Sequence, residues 1–329
     1  MNTMFKKLCS IVVGLVYVVS GLLKLMDPVG TGLIIEAYFR FIHLPESALV
    51  AKILGVVLGA LETAVGFAAV FCVWSRITRW LMIGMQSAFT LLSLALVIWN
   101  PQMHCGCFGE AIHLTHWQTF IKNIVLMGML WGAYFPLWET TKTTMWQYIS
   151  YIISIIFTLS FSIYSLCSLP LIDFTNYKKG TEIISTKDYW NLSSNKKTGK
   201  ISIPMLGIQD NKVNENIYTG KWVIISIYDM PENIESWIRI KDTYVKMSEN
   251  GYSVILLVAS TKDRFLEFYN RLHDKSVITQ DILDKMMNST CLTDKTTVLT
   301  MNRANGGLTI INDGIIVEKT RKTNYTLYL

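Results

Sequence analysis

Charge is scarce in this chain. Asp, Glu, Lys and Arg make up 16% of its 329 residues, against about 25% in a typical soluble domain. The shortage is concentrated in the first half, whereas the sequence from Tyr177 onward reads like an ordinary soluble domain. Hydrophobic residues make up 51% and the mean hydropathy is +0.34, which excludes a wholly soluble protein. The lysines are scattered and no basic–aromatic array occurs, so the net charge of +6 does not describe a nucleic-acid surface. No small-x-small site follows the first apolar run, which excludes a cleaved signal peptide. No cysteine–histidine spacing fits a standard zinc pattern.

What is present is a set of five apolar runs of about the 20 residues needed to cross a bilayer: Leu8–Leu25, Ile53–Trp74, Trp80–Trp99, Thr119–Trp138 and Met145–Leu166. Trp74, Trp80, Trp99, Trp117, Trp138 and Trp146 stand at their ends, as an interfacial aromatic belt would. Lys6 and Lys7 precede the first run, Arg76 and Arg79 separate the second and third, and Lys142 separates the fourth and fifth. The Pro101–Gln118 loop has no Lys or Arg. The positive-inside rule then puts the N-terminus in the cytoplasm. With five crossings, the Pro101–Gln118 loop and the C-terminal region face outward, which in a bacterial inner membrane means the periplasm, where disulfides persist.

The second run carries Gly55, Gly59, Glu62 and Gly66 on one helical face. Gly55 and Gly59 permit close helix approach. Glu62 falls near mid-membrane, where an ionisable side chain costs about 2.5 kcal/mol or more unless paired, protonated or hydrated. Two readings stand: a group that handles protons or contacts a quinone, and a neutral acid that fixes helix register. The third run offers Gln86, Thr90 and Ser93 as a polar stripe, with Gln86 and Thr90 the expected cofactor contacts. The first offers Tyr17, Ser20, Gly21 and Lys24. Lys24 is expected to snorkel to the outer surface rather than pair with Glu62.

The densest chemistry lies in His104-Cys105-Gly106-Cys107-Phe108-Gly109-Glu110. Cys105 and Cys107 are the closest pair of the six cysteines. A Cys-x-Cys disulfide closes a small strained ring, easier to reduce than a relaxed bridge, and Gly106 supplies the backbone freedom for it. That favours a transfer disulfide over a structural staple. Two other readings remain: a turn with idle thiols, and a copper or zinc site using His104, His113 and His116. Cys9, Cys72 and Cys167 read as packing residues in or beside spans, and Cys291 as a packing residue of the soluble region.

After a polar linker at about 171–200, the pattern alternates. Trp222–Ile227 reads as a strand, Pro231 to about Met247 as a helix, Tyr252–Ala259 as a buried strand, Asp263–His273 and Val277–Met287 as helices. Leu308–Ile311, Asn312-Asp313-Gly314 and Ile315–Glu318 carry a hairpin signal. The order β-α-β-α-β-β predicts a thioredoxin-like α/β fold. A redox dithiol is absent where such a fold would hold one: Tyr228-Asp229-Met230-Pro231-Glu232-Asn233 follows the first strand, and Gly306-Gly307 stand where a cis-proline is expected.

Three motifs carry a resemblance: Ser20-Gly21-Leu22-Leu23-Lys24 with Asp27-Pro28, Gly59-Ala60-Leu61-Glu62 with Gly66, and Cys105-Gly106-Cys107-Phe108-Gly109. Through them the first 140 residues or so resemble the DoxX and MauE (methylamine utilisation) group of redox-associated membrane proteins. The fused arrangement resembles proteins of the Bacteroides group. The resemblance implies a four-helix membrane core over 1–140, tied to thiol redox chemistry or to the maturation of disulfide-containing periplasmic proteins, with quinone as electron acceptor. The expected organisation adds a fifth helix at 141–170, a linker at 171–200 and a thioredoxin-like domain lacking Cys-x-x-Cys at 201–329. The expected function is thiol–disulfide exchange with a periplasmic thiol or disulfide protein through Cys105 and Cys107, with Glu62 in support. A non-enzymatic alternative is a membrane anchor that presents the soluble domain as a binding module.

Overall fold

A computed structural model describes residues 3–321 apart from 46, 102, 104, 135–142, 184–199, 204–205, 208–218, 231–233 and 275–277. Trp138, Lys142, His104 and Pro231, all named above, lie outside the described residues. The chain divides into two compact units, Met1–Ile172 and Asp173–Leu329.

The first unit is helical. Its elements are α1 (Thr3–Met26), α2 (Pro28–Phe41), α3 (Ala48–Val70), α4 (Ser75–Trp99), α5 (His116–Tyr134) and α6 (Met145–Cys167). Four segments, Met4–Met26, Ala48–Val70, Arg76–Trp99 and Met145–Cys167, are long and apolar enough to cross a membrane. Helix α5 has 19 residues, about 28 Å at 1.5 Å per residue, and carries Lys122 and Asn123. Trp74, Trp80, Trp99, Trp117 and Trp146 are exposed near helix ends.

Helices α1 and α3 run antiparallel with their backbones almost touching. A Cβ on Gly66 would sit 2.8 Å from the Gly14 carbonyl oxygen, and a Cβ on Gly21 would sit 2.5 Å from that of Gly59. Gly55 serves a different neighbour: a Cβ there would meet Thr31 of α2 at 2.9 Å. The expected glycine face is thus divided between two helices.

Helix α2 was not expected from the pattern. It carries Glu36 and Arg40 between two apolar runs. The Asp27-Pro28 pair is nevertheless a helix start: the Asp27 carboxylate accepts from the Gly30 N–H at 2.9 Å, and Pro28 occupies the first turn, where a missing N–H costs nothing. Cys9 packs as expected. Cys167 does not: it is exposed at the end of α6.

The second unit is a mixed sheet with helices. After the short strands β1 (Glu182–Ile183), β2 (Lys200–Ile201) and β3 (Leu206–Gly207) come β4 (Lys221–Ile227), α7 (Ile234–Glu249), β5 (Ser253–Ala259), α8 (Lys262–Asp274), α9 (Gln280–Asn288), β6 (Thr290–Thr293), α10 (Lys295–Met301), β7 (Gly307–Asn312) and β8 (Ile315–Thr320). The strand order is β2-β1-β8-β7-β4-β5-β6-β3. Strand β4 pairs parallel with β5 and antiparallel with β7, and β5 pairs parallel with β6. The sheet is buried on both faces. Val223, Ile225 and Ile227 pack with Trp237 and Phe265, and Ile224 packs with Ile255, Cys291 and Val298 on the other side. That double burial explains the continuous apolar runs. The hairpin turn is made by Asp313 (φ 45°) and Gly314 (φ 78°), the left-handed pair a type I′ turn requires. Strand β6 and helix α10 were not foreseen, being four and seven residues long.

Candidate functional site

The Cys105–Cys107 loop folds down onto α1 around Ser20–Lys24 and onto α2 around Ile34 and Tyr38. Gly106 (φ 69°) and Gly109 (φ 59°) supply the left-handed backbone for this. The fit is close: a Cβ on Gly106 would fall 2.5 Å from Ile34 of α2. The two Sγ atoms lie 2.7 Å apart.

The backbone of the pair is pinned from two sides. Tyr38 of α2 donates its hydroxyl to the Cys105 carbonyl at 2.9 Å. Lys24 Nζ and Ser20 Oγ of α1 reach the Cys107 carbonyl at 2.7 and 2.6 Å.

Lys24 also meets Glu62 of α3, with Nζ 2.7 Å from Oε2 and 3.0 Å from Oε1. Both side chains are almost fully buried. This corrects the expectation that Lys24 snorkels outward. The close α1–α3 approach at Gly21 and Gly59 brings the two side chains together, and the cysteine loop closes over them. It also places the Glu62 carboxylate beside a cation, so it does not stand in the membrane as an isolated acid. Ser20 Oγ lies 2.8 Å from Glu62 Oε2 and 2.8 Å from Lys24 Nζ. Three ammonium protons thus face three partners: the Glu62 carboxylate, the Cys107 carbonyl and Ser20. A buried ion pair persists only when its hydrogen bonds are satisfied in this way.

Gln86 is buried and held on both sides. It accepts from the Tyr17 hydroxyl at 3.0 Å and donates to the Asn123 carbonyl at 3.0 Å. Asn123 in turn donates to the Phe89 carbonyl and to Ser93 Oγ, each at 3.0 Å. Thr90 donates to the Gln86 carbonyl of its own helix at 2.7 Å.

A cavity of about 150 Å³ lies between these groups. Cys105, Gly106 and Cys107 form one wall. Tyr17, Ser20, Lys24 and Glu62 contribute polar groups, and Ile34, Leu58, Phe89, Leu92 and Leu126 contribute apolar surface. Gln86 and Ser93 line it, and Thr90 is not among the lining residues. The structure therefore gathers Cys105, Cys107, Glu62 and Gln86 at one site. Lys24, Tyr38 and Asn123 are site residues that sequence reasoning missed, although Lys24 and Glu62 stood in the same two motifs.

Cys105 and Cys107 share protons. The hydrogen bond from Cys107 pulls the Cys105 thiol down to about 6, with smaller contributions from Thr119 and Lys122, while the same bond and burial push Cys107 well up. One sulfur is poised as a thiolate while the other keeps its proton, which suits one nucleophile and one resolving thiol. Lys122 Nζ lies 4.8 Å from the Phe108 ring centre, over its face.

His113 and His116 are not drawn into this cluster. His113 faces Glu110 at 3.8 Å, and His116 Nε2 lies 3.0 Å from the Pro101 carbonyl. Among the described residues, no group of three or more His, Cys, Asp or Glu side chains is arranged to hold a metal ion.

In the second unit, Cys291 is buried in β6, and burial raises its thiol to about 11. The turn after β4 carries no thiol. It is tied instead to Asn305, whose Oδ1 accepts from the Tyr228 and Asp229 N–H groups and whose Nδ2 donates to the Asp229 carbonyl at 2.6 Å.

A helical bundle with four segments long and apolar enough to cross a membrane defines the class: a multi-pass membrane protein, here with a close thiol pair set against a buried ion pair. Residues 2–138 match the family model of the methylamine utilisation protein MauE, so the N-terminal part of the chain is MauE-like. No curated protein and no solved structure gives a match.

Proposed function

We propose that this protein exchanges disulfides with a periplasmic thiol protein through Cys105 and Cys107. One observation carries the reading: the two sulfurs lie side by side on the wall of a cavity that also holds the Lys24–Glu62 pair. The Cys105 thiolate attacks a sulfur of the partner's disulfide, and a partner thiolate leaves. Cys107, having given up its proton, attacks Cys105 in the mixed disulfide and expels the second partner thiolate. The Cys105–Cys107 disulfide forms, two electrons pass to the partner, and its two thiolates take up the proton released by Cys107 and one from water. The reverse sequence returns them.

The resemblance implies quinone as electron acceptor, and the cavity residues fit an aromatic ring. Phe89, Leu92 and Leu126 would supply apolar contact to a ring, with Gln86 as the polar group. When bound, a quinone would supply a two-electron, two-proton acceptor beside the sulfurs.

The membrane arrangement proposed here is five crossings with the cysteine loop outside. Helix α5 supports it: His116 at its start lies by Pro101, and Tyr134 at its end lies by Ser10, near the start of α1. Helix α6 begins near Trp74, where Thr143 accepts the Trp74 N–H at 3.4 Å, and ends with Ser165 bonded to the Leu25 carbonyl. Lys7, Arg76 and Arg79 belong to the end of the bundle opposite the cysteines, as a cytoplasmic face requires. The soluble unit is read as thioredoxin-like, because β4-α7-β5 followed by the antiparallel β7–β8 hairpin follows that order.

The test is thiol trapping in intact cells. Cys105→Ser and Cys107→Ser should each abolish exchange, leaving the partner's redox state shifted. An unchanged partner in both variants overturns this reading. It would favour the anchor reading, which the Asn305-bound, thiol-free turn of the soluble unit supports. In that case changes at Asp229 would disrupt partner capture.

A further inference from the structure

The exchange reading gives Cys105 and Cys107 roles but leaves the buried charges of α1 and α3 without one. Lys24 is not placed as a simple counter-ion. It bridges two things: the Glu62 carboxylate and the backbone carbonyl of a cysteine 83 residues away. Ser20 accepts from Lys24 and has one hydroxyl proton to donate, to Glu62 at 2.8 Å or to that carbonyl at 2.6 Å. The bonds that satisfy the buried ammonium are thus the same bonds that tie it to the cysteine loop.

Resting on that exchange reading, we propose that Ser20, Lys24 and Glu62 form a positioning unit for Cys107. Glu62 orients the Lys24 ammonium, and Lys24 with Ser20 grips the Cys107 carbonyl, which fixes the loop so that the second sulfur stays beside the first. The ammonium also places a positive charge next to the sulfur that must become a thiolate when it resolves the mixed disulfide. Opposite charge at such range favours the ionised sulfur. The other ionisable groups facing the sulfur pair are Lys122 of α5, Tyr38 of α2 and Tyr17 of α1.

The test uses full-length protein in lipid nanodiscs and needs no partner. Two quantities are read: the equilibrium between dithiol and disulfide in dithiothreitol buffers, by mass shift after alkylation, and the pH profile of iodoacetamide labelling of the reduced pair. Lys24→Met alone would strand the Glu62 carboxylate, so the informative variant is the double Lys24→Met/Glu62→Leu, which removes both charges and keeps apolar packing. Ser20→Ala removes one grip and keeps the ion pair. The double variant should shift the equilibrium at least tenfold and slow labelling of the second sulfur about tenfold at fixed pH. Ser20→Ala should shift the equilibrium two- to threefold. An equilibrium and a profile that overlay the wild type in a double variant of unchanged thermal stability overturn the proposal. Failure of the exchange reading looks different: the wild-type pair would leave its partner unchanged in cells while these intrinsic thiol properties still responded to Lys24.

Discussion

The Tyr134 hydroxyl at the end of α5 lies 3.2 Å from the Ser10 hydroxyl near the start of α1. His116, at the other end of α5, lies against Pro101 beside the cysteine loop. A helix anchored at both ends of the bundle has the reach of a crossing, although its Lys122 and Asn123 make it the least apolar of the long helices. Reporter fusions in the Cys105–Cys107 loop and after Ile172 should therefore report the same side, opposite to a fusion at Trp74. If α5 does not cross, the first two sites fall on opposite sides.

The glycines predict a graded packing response. Gly21→Ala drives a methyl against the Gly59 carbonyl and Thr63 of α3, and should cost about 1–3 kcal/mol, the usual penalty for overpacking. Gly84→Ala and Gly128→Ala, where an added Cβ meets nothing within 4 Å, should be neutral or slightly stabilising. Thermal unfolding in detergent, followed by thiol exposure, separates the two groups.

Cys105 should label at unusually low pH. With its thiol pulled down to about 6, iodoacetamide modification of the reduced protein should be near its plateau at pH 7 and fall about tenfold per unit well below pH 6, whereas an ordinary thiol near 8.5 would be only a few per cent ionised at pH 7. A labelling midpoint at 8 or above contradicts this. The sign follows from the thiolate being the nucleophile, so reactivity is lost as pH falls.

Asn123 links α5 to α4 through two donated bonds, and its carbonyl takes the amide of Gln86. Asn123→Leu removes both side-chain bonds, while Ser93 keeps its bond to the Thr90 carbonyl. Interhelical bonds in membranes are worth about 0.6 kcal/mol each, so a loss of about 1–2 kcal/mol is expected. Mass-resolved unfolding of the bundle in mild detergent measures it.

Cys291 should be inert. Buried in β6 with its thiol raised to about 11, it should resist alkylation in native protein at pH 7 and react only on unfolding. Cys291→Ala should leave the redox state of Cys105 and Cys107 unchanged.

Much of this architecture could be read along the chain because its signals are local. The apolar runs, the Asp313-Gly314 turn and the Cys105–Cys107 spacing each lie within a few residues. What escaped was of two kinds. Helix α2 and the β6–α10 stretch are short, so charge in the one and brevity in the other hid their periodicity, even though Asp27-Pro28 marks a helix start. The Lys24–Glu62 pair escaped for another reason. Its partners are 38 residues apart, and only the approach of α1 to α3 at Gly21 and Gly59, with the loop folded over it, makes inward burial of the cation favourable. Hydropathy treats a lysine near a span's end as surface-seeking and has no access to that geometry.

The carbonyl of Cys105 is held by Tyr38 of α2 and that of Cys107 by Lys24 and Ser20 of α1, and the two sulfurs already lie side by side. A change of bonding at sulfur then asks for side-chain rotation and no remodelling of the main chain.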